Sequence, residues 1–215
     1  MDRIERLLPE EIERRSFEII SAELEERGIV LAPDQERITK RVIHTSADFD
    51  YARTLTYSAH AVETAERLLL EGACIVTDTN MALAGINKGA LAKLQVEARC
   101  FMADQTVARL ARERGTTRAA VSMELASRLD KPVICAIGNA PTALLALYEM
   151  IREGRWRPAF VIGVPVGFVH VEEAKRRMME TDVPYIINRG RKGGSTIAAA
   201  ICNALLYGLL QKREG

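Results

Sequence analysis

The sequence predicts one α/β domain with a mainly parallel sheet, preceded by a helical N-terminal segment. Short apolar runs rich in β-branched residues, such as Val133–Ile137, are typical of strands buried on both faces of a parallel sheet. These runs alternate with segments of helical periodicity. Neither a low-complexity linker nor an internal repeat divides the chain, so residues 1–215 are predicted to form a single domain.

The first third of the chain is predicted to be mostly helical. Apolar residues recur at helical spacing from Pro9, and glycine and proline mark the ends of the helices. The predicted elements are a helix over Pro9–Arg27 ended by Gly28, a helix from Pro33 to His44, a short or edge strand over Thr54–Tyr57, and a helix capped by Ser58 that runs to Leu70.

From Ala73 onward, strands and helices alternate regularly. A strand over Cys74–Thr77 ends in the polar turn Asp78–Met81, and Lys93–Glu97 alternates apolar and polar residues as a strand does. The remaining predictions are a helix capped by Asp104, a helix over Thr117–Arg128, strands over Val133–Ile137, Ala159–Ile162 and Tyr185–Asn188, and helices beginning at Pro141, Val171 and the end of the glycine-rich segment Arg189–Thr196.

Composition and charge exclude several classes of protein. With 30 Lys and Arg against 29 Asp and Glu, the net charge of +1 predicts neither nucleic acid nor a membrane surface as a partner. The charged N-terminus lacks the apolar core of a secretory signal, and the longest apolar stretch, Ile197–Leu210, is too short to span a bilayer. Four widely spaced cysteines predict reduced thiols in the cytoplasm rather than a metal site or a disulfide.

Three strand-to-helix turns are predicted to open at one edge of the sheet. They lie near Asp78, Gly138 and Gly190, and the loop Gly163–Gly167 joins them. Glycines let backbone N–H groups approach a ligand, and Arg189–Lys192 adds positive charge, which favours an acidic ligand. No phosphate-loop or dinucleotide motif fits, so a nucleotide and a ligand with several carboxylates both stay open.

The three histidines do not predict a metal site. His44, His60 and His170 lack the spacing of helical metal ligands, and no serine or cysteine lies in a nucleophile motif. Polar residues follow His44 and could orient its imidazole for acid–base work. Pattern alone nevertheless favours a structural or solvent-exposed role for this histidine.

Eight ordered motifs along nearly the whole chain are more specific than any single turn. With them the chain resembles the precorrin-8X methylmutase family of corrin (vitamin B12) biosynthesis. The motifs are Ile12–Ile20, Arg41–His44, Asp78–Met81, Thr117–Ala119, Ala136–Leu144, Gly163–Val169, Val183–Tyr185 and Arg189–Ser195.

The resemblance implies an isomerase without a cofactor or metal that moves a methyl group from C-11 to C-12 of the macrocycle. It also implies a homodimer and a three-layer α/β/α, Rossmann-like fold. The catalytic histidine of the family falls on His44, which reverses the interpretation from pattern alone. The segment Thr45–Asp50 resembles members that act on cobalt-precorrin-8 rather than on the metal-free form.

The substrate of this family is a tetrapyrrole polycarboxylate, so cationic side chains and backbone N–H groups are expected around it. We expect the N–H groups near Gly138–Thr142 and Gly193–Ser195 to contribute, and large apolar side chains such as Met81, Val164 and Phe168 to face the flat ring. The predicted substrate-binding residues are Arg15, Ser16, Thr79, Met81, Arg118, Asn139, Thr142, Gly163, Val164, Arg189, Arg191, Lys192, Gly193 and Ser195. One or two of the five cationic residues are expected to be ordinary surface charges.

Two other functions remain compatible with the residues. A non-catalytic tetrapyrrole carrier would bind a corrin stoichiometrically without changing the spectrum of the substrate. A nucleotide-dependent enzyme on a similar sheet would be stabilised by NAD, ATP or S-adenosylmethionine.

Overall fold

A computed structural model describes residues 8–214 of the protein. Six strands form one sheet: β1 (Leu55–Tyr57), β2 (Cys74–Thr77), β3 (Glu97–Cys100), β4 (Val133–Ile137), β5 (Phe160–Gly163) and β6 (Tyr185–Asn188). Helices surround it: α1 (Pro9–Glu26), α2 (Pro33–Ser46), α3 (Tyr51–Thr54), α4 (Ala61–Leu70), α5 (Asn80–Gly85), α6 (Lys88–Leu94), α7 (Gln105–Glu113), α8 (Arg118–Ala126), α9 (Pro141–Arg152), α10 (Val171–Met179) and α11 (Ser195–Glu214).

The sheet is parallel except at one edge, as the sequence predicts. The strand order is β1-β6-β5-β4-β2-β3, and only β1 runs antiparallel to its neighbour among the strands of residues 8–214. The central strand β4 pairs with β2 and β5, with Cys135 opposite both Val76 and Val161. All five residues of β4 are buried, because helices cover both faces of the sheet.

Alternate residues of each strand supply two apolar layers. Ile75, Ile134 and Ile162 face a core shared with α1, α2, α4 and the long apolar helix α11. Their neighbours Cys135 and Val161 face a second core shared with α8, α9 and α10. This period-two division produces the three-layer α/β/α arrangement that the resemblance implies.

Most predicted elements are confirmed, including α1, the edge strand β1, and the bounds of β2, β4 and β6. Caps explain several helix starts: Asp104 Oδ1 accepts a hydrogen bond from Thr106 N at 2.7 Å, and Pro141 opens α9. The C-terminal helix is buried against α2 and the sheet, in keeping with its apolar sequence.

Two local predictions are wrong. Ser58 does not cap α4, whose N-cap is His60; instead Ser58 Oγ accepts a hydrogen bond from Tyr185 N at 2.9 Å and ties β1 to β6. The alternation over Lys93–Glu97 is also misleading, because it covers the end of α6, the turn that follows and only the first residue of β3. In that segment, burial of Leu94 and Val96 comes from a helix end and a turn, which can mimic the period of a strand.

The other edge of the sheet is charged. Arg99 and Lys131 both form ion pairs with Glu97 of β3, and all three side chains are at least one-third exposed. The four cysteines are free, and Cys74, Cys135 and Cys202 are buried. Within residues 8–214, no helix is both long enough and apolar enough to cross a membrane.

Gly138, directly after β4, is predicted to be intolerant of a side chain. A Cβ atom here would lie 2.7 Å from the Cα of Ser195 and 2.9 Å from the carbonyl oxygen of Gly194, so the two turns would have to separate. We expect Gly138→Ala to lower the free energy of unfolding by about 1–3 kcal/mol in urea denaturation.

Gly89→Ala is the matched control. Gly89 is exposed in α6, and the nearest atom to an added Cβ is a side-chain atom, Oδ1 of the N-cap residue Asn87, at 3.3 Å. Because alanine is the better helix former, its stability should be unchanged or higher. Equal effects of the two substitutions would contradict the close approach of the turns.

Candidate functional site

The side chain of Asp78, at the end of β2, organises the carboxyl edge of the sheet. It is fully buried, and it accepts hydrogen bonds from the backbone N–H groups of three consecutive residues after β4: Gly138 (2.8 Å), Asn139 (2.8 Å) and Ala140 (2.6 Å). Burial raises the pKa of the Asp78 carboxyl above its ordinary value, and the three N–H donors offset part of that effect. Asp78 therefore joins the turns after β2 and β4.

This arrangement corrects one expectation from the sequence. The N–H groups near Gly138–Thr142 were expected to hold an acidic ligand, but those of residues 138–140 already donate to an internal carboxylate. The glycine at this turn serves the close approach of two backbones rather than the approach of a ligand. Asn139 is exposed, so it still faces the solvent at the carboxyl edge of the sheet.

The turns after β5 and β6 join the same edge. Thr79 Oγ1 and Ser195 Oγ lie 2.8 Å apart, and Gly194 N donates to Val164 O at 2.9 Å. A Cβ on Gly193 would lie only 2.1 Å from Val164 O, so glycine allows this contact. The structure thus brings together all four turns that the sequence places at the carboxyl edge, with Thr79, Gly193 and Ser195 among them.

The loop after β6, residues 189–194 (the rim loop), rests on polar side chains beneath it. Lys175 of α10 is 1% exposed, and its Nζ donates to Gly190 O at 2.8 Å and to Lys192 O at 2.9 Å. Asn188 Nδ2 donates to the same Lys192 oxygen at 2.7 Å. Burial lowers the pKa of Lys175 to about 8.

The three cations of the rim loop differ in their surroundings. Lys192 Nζ lies 2.6 Å from carboxylate oxygens of both Asp48 and Asp50, and these hydrogen bonds raise its pKa above the ordinary value. Arg189 Nη2 donates to the carbonyl of Arg53 at 3.0 Å. The exposed guanidinium of Arg191 lies over the ring of Phe168, 5.5 Å from the ring centroid, and 3.8 Å from a carboxylate oxygen of Glu172.

His44 lies in the last turn of α2 with its side chain exposed to solvent. Its imidazole stacks on Phe17 of α1, with ring centroids 5.2 Å apart and planes 16° apart. Asp48, four residues later, binds Lys192 of the rim loop. Four residues of extended chain span at most about 14 Å, so the Cα atoms of His44 and Asp48 are no farther apart than that. The segment after His44 is thereby attached to the edge of the sheet.

An open pocket lies beside His44 between α1 and α2. His44 and Ser16 both line it, together with apolar side chains that include Ile19 and Phe49. The hydroxyl of Ser16 donates to Ile12 O at 2.8 Å, within its own helix. Arg15 is exposed and forms an ion pair with Glu18 at 3.0 Å, outside this pocket.

Helices α8 and α9 begin side by side at the same edge. The hydroxyl of Thr117, the N-cap of α8, donates to Thr142 Oγ1 at 2.9 Å. This contact places exposed Arg118, the first residue of α8, next to the start of α9. Both Arg118 and Thr142 are therefore at the rim, as their assignment to the site requires.

The predicted apolar contacts to a flat ring divide into two groups. Met81 is 67% exposed and Phe168 is 83% exposed, so both present apolar surface to solvent. Val164 is fully buried in the core, and Gly163 is the last residue of β5 with Ile187 packed against it. The prediction that the Val164 side chain faces a ligand is wrong in this structure, because that side chain has no exposed surface.

Sequence reasoning missed the internal charges of the site. Asp78 was recognised as part of a turn but not as the acceptor for a second turn sixty residues away. A signal for Lys175 does exist: it occupies the apolar stripe of α10 together with Val171, Ala174 and Met178, where a charged residue is unusual.

Fold and site together define a doubly wound α/β protein whose candidate ligand site lies at the carboxyl ends of its parallel strands. Arginines and hydroxyl groups lie at this edge, apolar side chains flank them, and the segment that follows the solvent-exposed His44 is attached to it.

Comparison with known proteins identifies the family. The family model described as precorrin-8X methylmutase matches residues 11–208, and the chain belongs to this family. It is 43% identical over 205 residues to the cobalt-precorrin-8 methylmutase of Salmonella typhimurium, covering 94% of this chain and 96% of that protein. It is 40% identical over 197 residues to the precorrin-8X methylmutase of Pseudomonas aeruginosa, covering 90% and 93%.

A solved structure agrees with the fold. The crystal structure of a precorrin-8X methylmutase from Thermus thermophilus superposes with a TM-score of 0.82 at 40% sequence identity, covering 94% of this chain and 98% of the other. The resemblance inferred from the ordered motifs is thus confirmed. Relatives bearing the two names are almost equally similar to this chain, so identity alone does not choose between their substrates.

Asp78→Asn tests the connection between the turns. Asparagine keeps one acceptor oxygen but turns an N–H₂ donor towards backbone N–H groups, so at least one buried donor loses its partner. We expect the free energy of unfolding to fall by about 2–4 kcal/mol. Asp104→Asn is the matched control. Asparagine is as good an N-cap as aspartate at the exposed start of α7, so the free energy of unfolding should change by less than about 0.5 kcal/mol.

Lys175 gives stability a pH dependence of known sign. Its pKa is about 8 in the folded protein and near ~10.4 in an unfolded chain, so the unfolded state binds more protons between these values. Raising the pH through this window should therefore increase the free energy of unfolding of the wild type relative to Lys175→Met, by up to about 3 kcal/mol. A difference that stays constant from pH 7.5 to 10.5 would contradict the buried ammonium.

Proposed function

We propose that the protein is a methylmutase that moves a methyl group from C-11 to C-12 of precorrin-8 or its cobalt complex, with His44 as general acid and base. The main support for this reaction is that the chain belongs to the precorrin-8X methylmutase family. The position of His44 supports its role: the imidazole is exposed, lines an open pocket and belongs to a segment attached to the rim loop.

A methyl migration around a conjugated ring needs an electron-poor migration terminus and a fixed geometry. An imidazolium that protonates a ring nitrogen, or donates a hydrogen bond to it, withdraws electron density from the adjoining double bonds. The same imidazole recovers the proton after the methyl group has moved, so no proton is consumed. Stacking on Phe17 restricts the orientation of the His44 ring and thus the direction of its N–H groups.

The acidic arms of the macrocycle supply the binding energy in this proposal. Arg118, Arg189 and Arg191 are exposed at the carboxyl edge, where a guanidinium can form two parallel hydrogen bonds to one carboxylate. Two of the three N–H donors of Lys192 already bind Asp48 and Asp50, so at most one donor is left for a substrate arm. Exposed Met81 and Phe168 provide apolar surface for the ring itself.

Three further points belong to the proposal. The acidic segment after His44 favours cobalt-precorrin-8 as the substrate, because it resembles members that use the cobalt form. The family resemblance supports a homodimer. Free cysteines, three of them buried, are in keeping with a reducing cytoplasm.

The decisive experiment mixes the purified protein with each form of precorrin-8 and follows the visible spectrum. Conversion of either form to the product spectrum supports the proposal, and faster conversion of the cobalt form supports the narrower assignment. Stoichiometric binding without a spectral change would instead support a carrier. Stabilisation by NAD, ATP or S-adenosylmethionine in a thermal-shift assay would support a nucleotide-dependent enzyme.

His44→Asn tests the acid–base role, since asparagine can donate a hydrogen bond but cannot transfer a proton at neutral pH. We expect turnover to fall about 10²–10⁴-fold, while the product corrin still binds. His60→Asn is the matched control, because His60 is 80% exposed with φ = 54°, a conformation that asparagine tolerates. Its turnover should equal that of the wild type. An active His44→Asn enzyme would exclude proton transfer by this residue.

A further inference from the structure

Lys175 is a buried cation that binds backbone carbonyls and, among residues 8–214, pairs with no carboxylate. Its side chain occupies an apolar stripe of α10, and within the described part of the chain no Asp or Glu oxygen lies within 4.0 Å of its Nζ. Glu172, one turn earlier, is exposed and lies closer to Arg191. On stability alone, an apolar side chain of similar volume would serve at least as well at such a position. Its charge and its donors therefore call for another explanation.

Those donors fix the orientation of the rim loop. Nζ of Lys175 binds the carbonyls of Gly190 and Lys192, and Asn188 Nδ2 binds the second of these as well. The carbonyl between them, that of Arg191, accepts a hydrogen bond from Gly167 N at 3.2 Å. Three consecutive carbonyls are thus held by the body of the protein.

Holding these carbonyls has a consequence for the arginines. The side chains of Arg189 and Arg191 are exposed at the rim while the backbone between them is held from below. Gly190 between them has φ = 76°, a left-handed conformation that glycine adopts without strain. Without the ammonium group, the Gly190 carbonyl would lose its hydrogen-bond partner, and the loop would be free to reorient.

We propose that Lys175 is a positioning residue for the carboxylates of the substrate: it holds the rim loop so that Arg189 and Arg191 face the bound macrocycle in fixed positions. The inference rests on the proposed function for the identity of the ligand. Lys175 is buried and acts through the loop, and His44 performs the chemistry without it. Its loss should weaken substrate binding much more than the chemical step.

Lys175→Met tests this, because methionine fills the same space without a charge or a donor. We expect KM for the precorrin-8 substrate to rise about tenfold or more, with kcat changed far less. Lys131→Met is the matched control: Lys131 is exposed, pairs with Glu97 and precedes β4 at the opposite end of the sheet. Its KM should equal that of the wild type. A KM of Lys175→Met equal to that of the control would overturn the proposal.

A second measurement needs no substrate. Amide hydrogen exchange in residues 189–194 should accelerate in Lys175→Met, whereas the amides of β4 should keep their protection. Unchanged exchange in the rim loop would also overturn the proposal. If the wild type converts no form of precorrin-8, the proposed function fails, but the exchange result still shows whether Lys175 holds the loop.

Should Lys175→Met not fold, Lys175→Leu decides the question, since it removes the same two donors to the Gly190 and Lys192 carbonyls with a different apolar side chain. A folded Lys175→Leu protein with a raised KM and faster exchange in the rim loop supports the proposal. Wild-type values for both would overturn it.

Discussion

The site depends on one buried carboxylate. Asp78 directly follows one strand, and its side chain accepts hydrogen bonds from three consecutive backbone N–H groups in the turn after the neighbouring strand. A buried carboxylate is costly unless it is hydrogen-bonded, and unpaired N–H groups in the same place would be costly too, so each satisfies the other. The close approach of Gly138 to Ser195 and the hydroxyl pair of Thr79 and Ser195 lie around this contact, and through them the turn after β6 takes its place.

Charged groups at this edge fall into two sets with different tasks. Asp78 and Lys175 are buried and bind only the backbone of neighbouring loops, one as acceptor and the other as donor. Arg118, Arg189 and Arg191 are exposed and remain open to a ligand in water. The interior charges shape the loops; Arg189 and Arg191 belong to one of these loops, and Arg118 begins α8. A polyacidic macrocycle fits the second set, which is why the proposed substrate and the fold are consistent.

Much of the fold was predictable, because apolar strands such as β4 and capped helices such as α7 carry strong local signals. The ordered motifs also identified the family. What could not be predicted depends on distant contacts: nothing near Asp78 in the sequence shows that its partners are residues 138–140, and nothing near Ser58 shows that it binds Tyr185. Glycine in a turn likewise does not reveal whether a ligand or another backbone approaches it. The role of each site residue remains a prediction.

The exposed edge of the sheet has a consequence for self-association. Within residues 8–214, strand β3 has no neighbour on its outer side, and an unpaired strand can recruit another copy through its backbone. Here Glu97, Arg99 and Lys131 form a small charged network along that margin. A second molecule that added a strand there would have to desolvate these charged side chains, which disfavours edge-to-edge pairing of β3. Association of two copies would then use a helical surface instead.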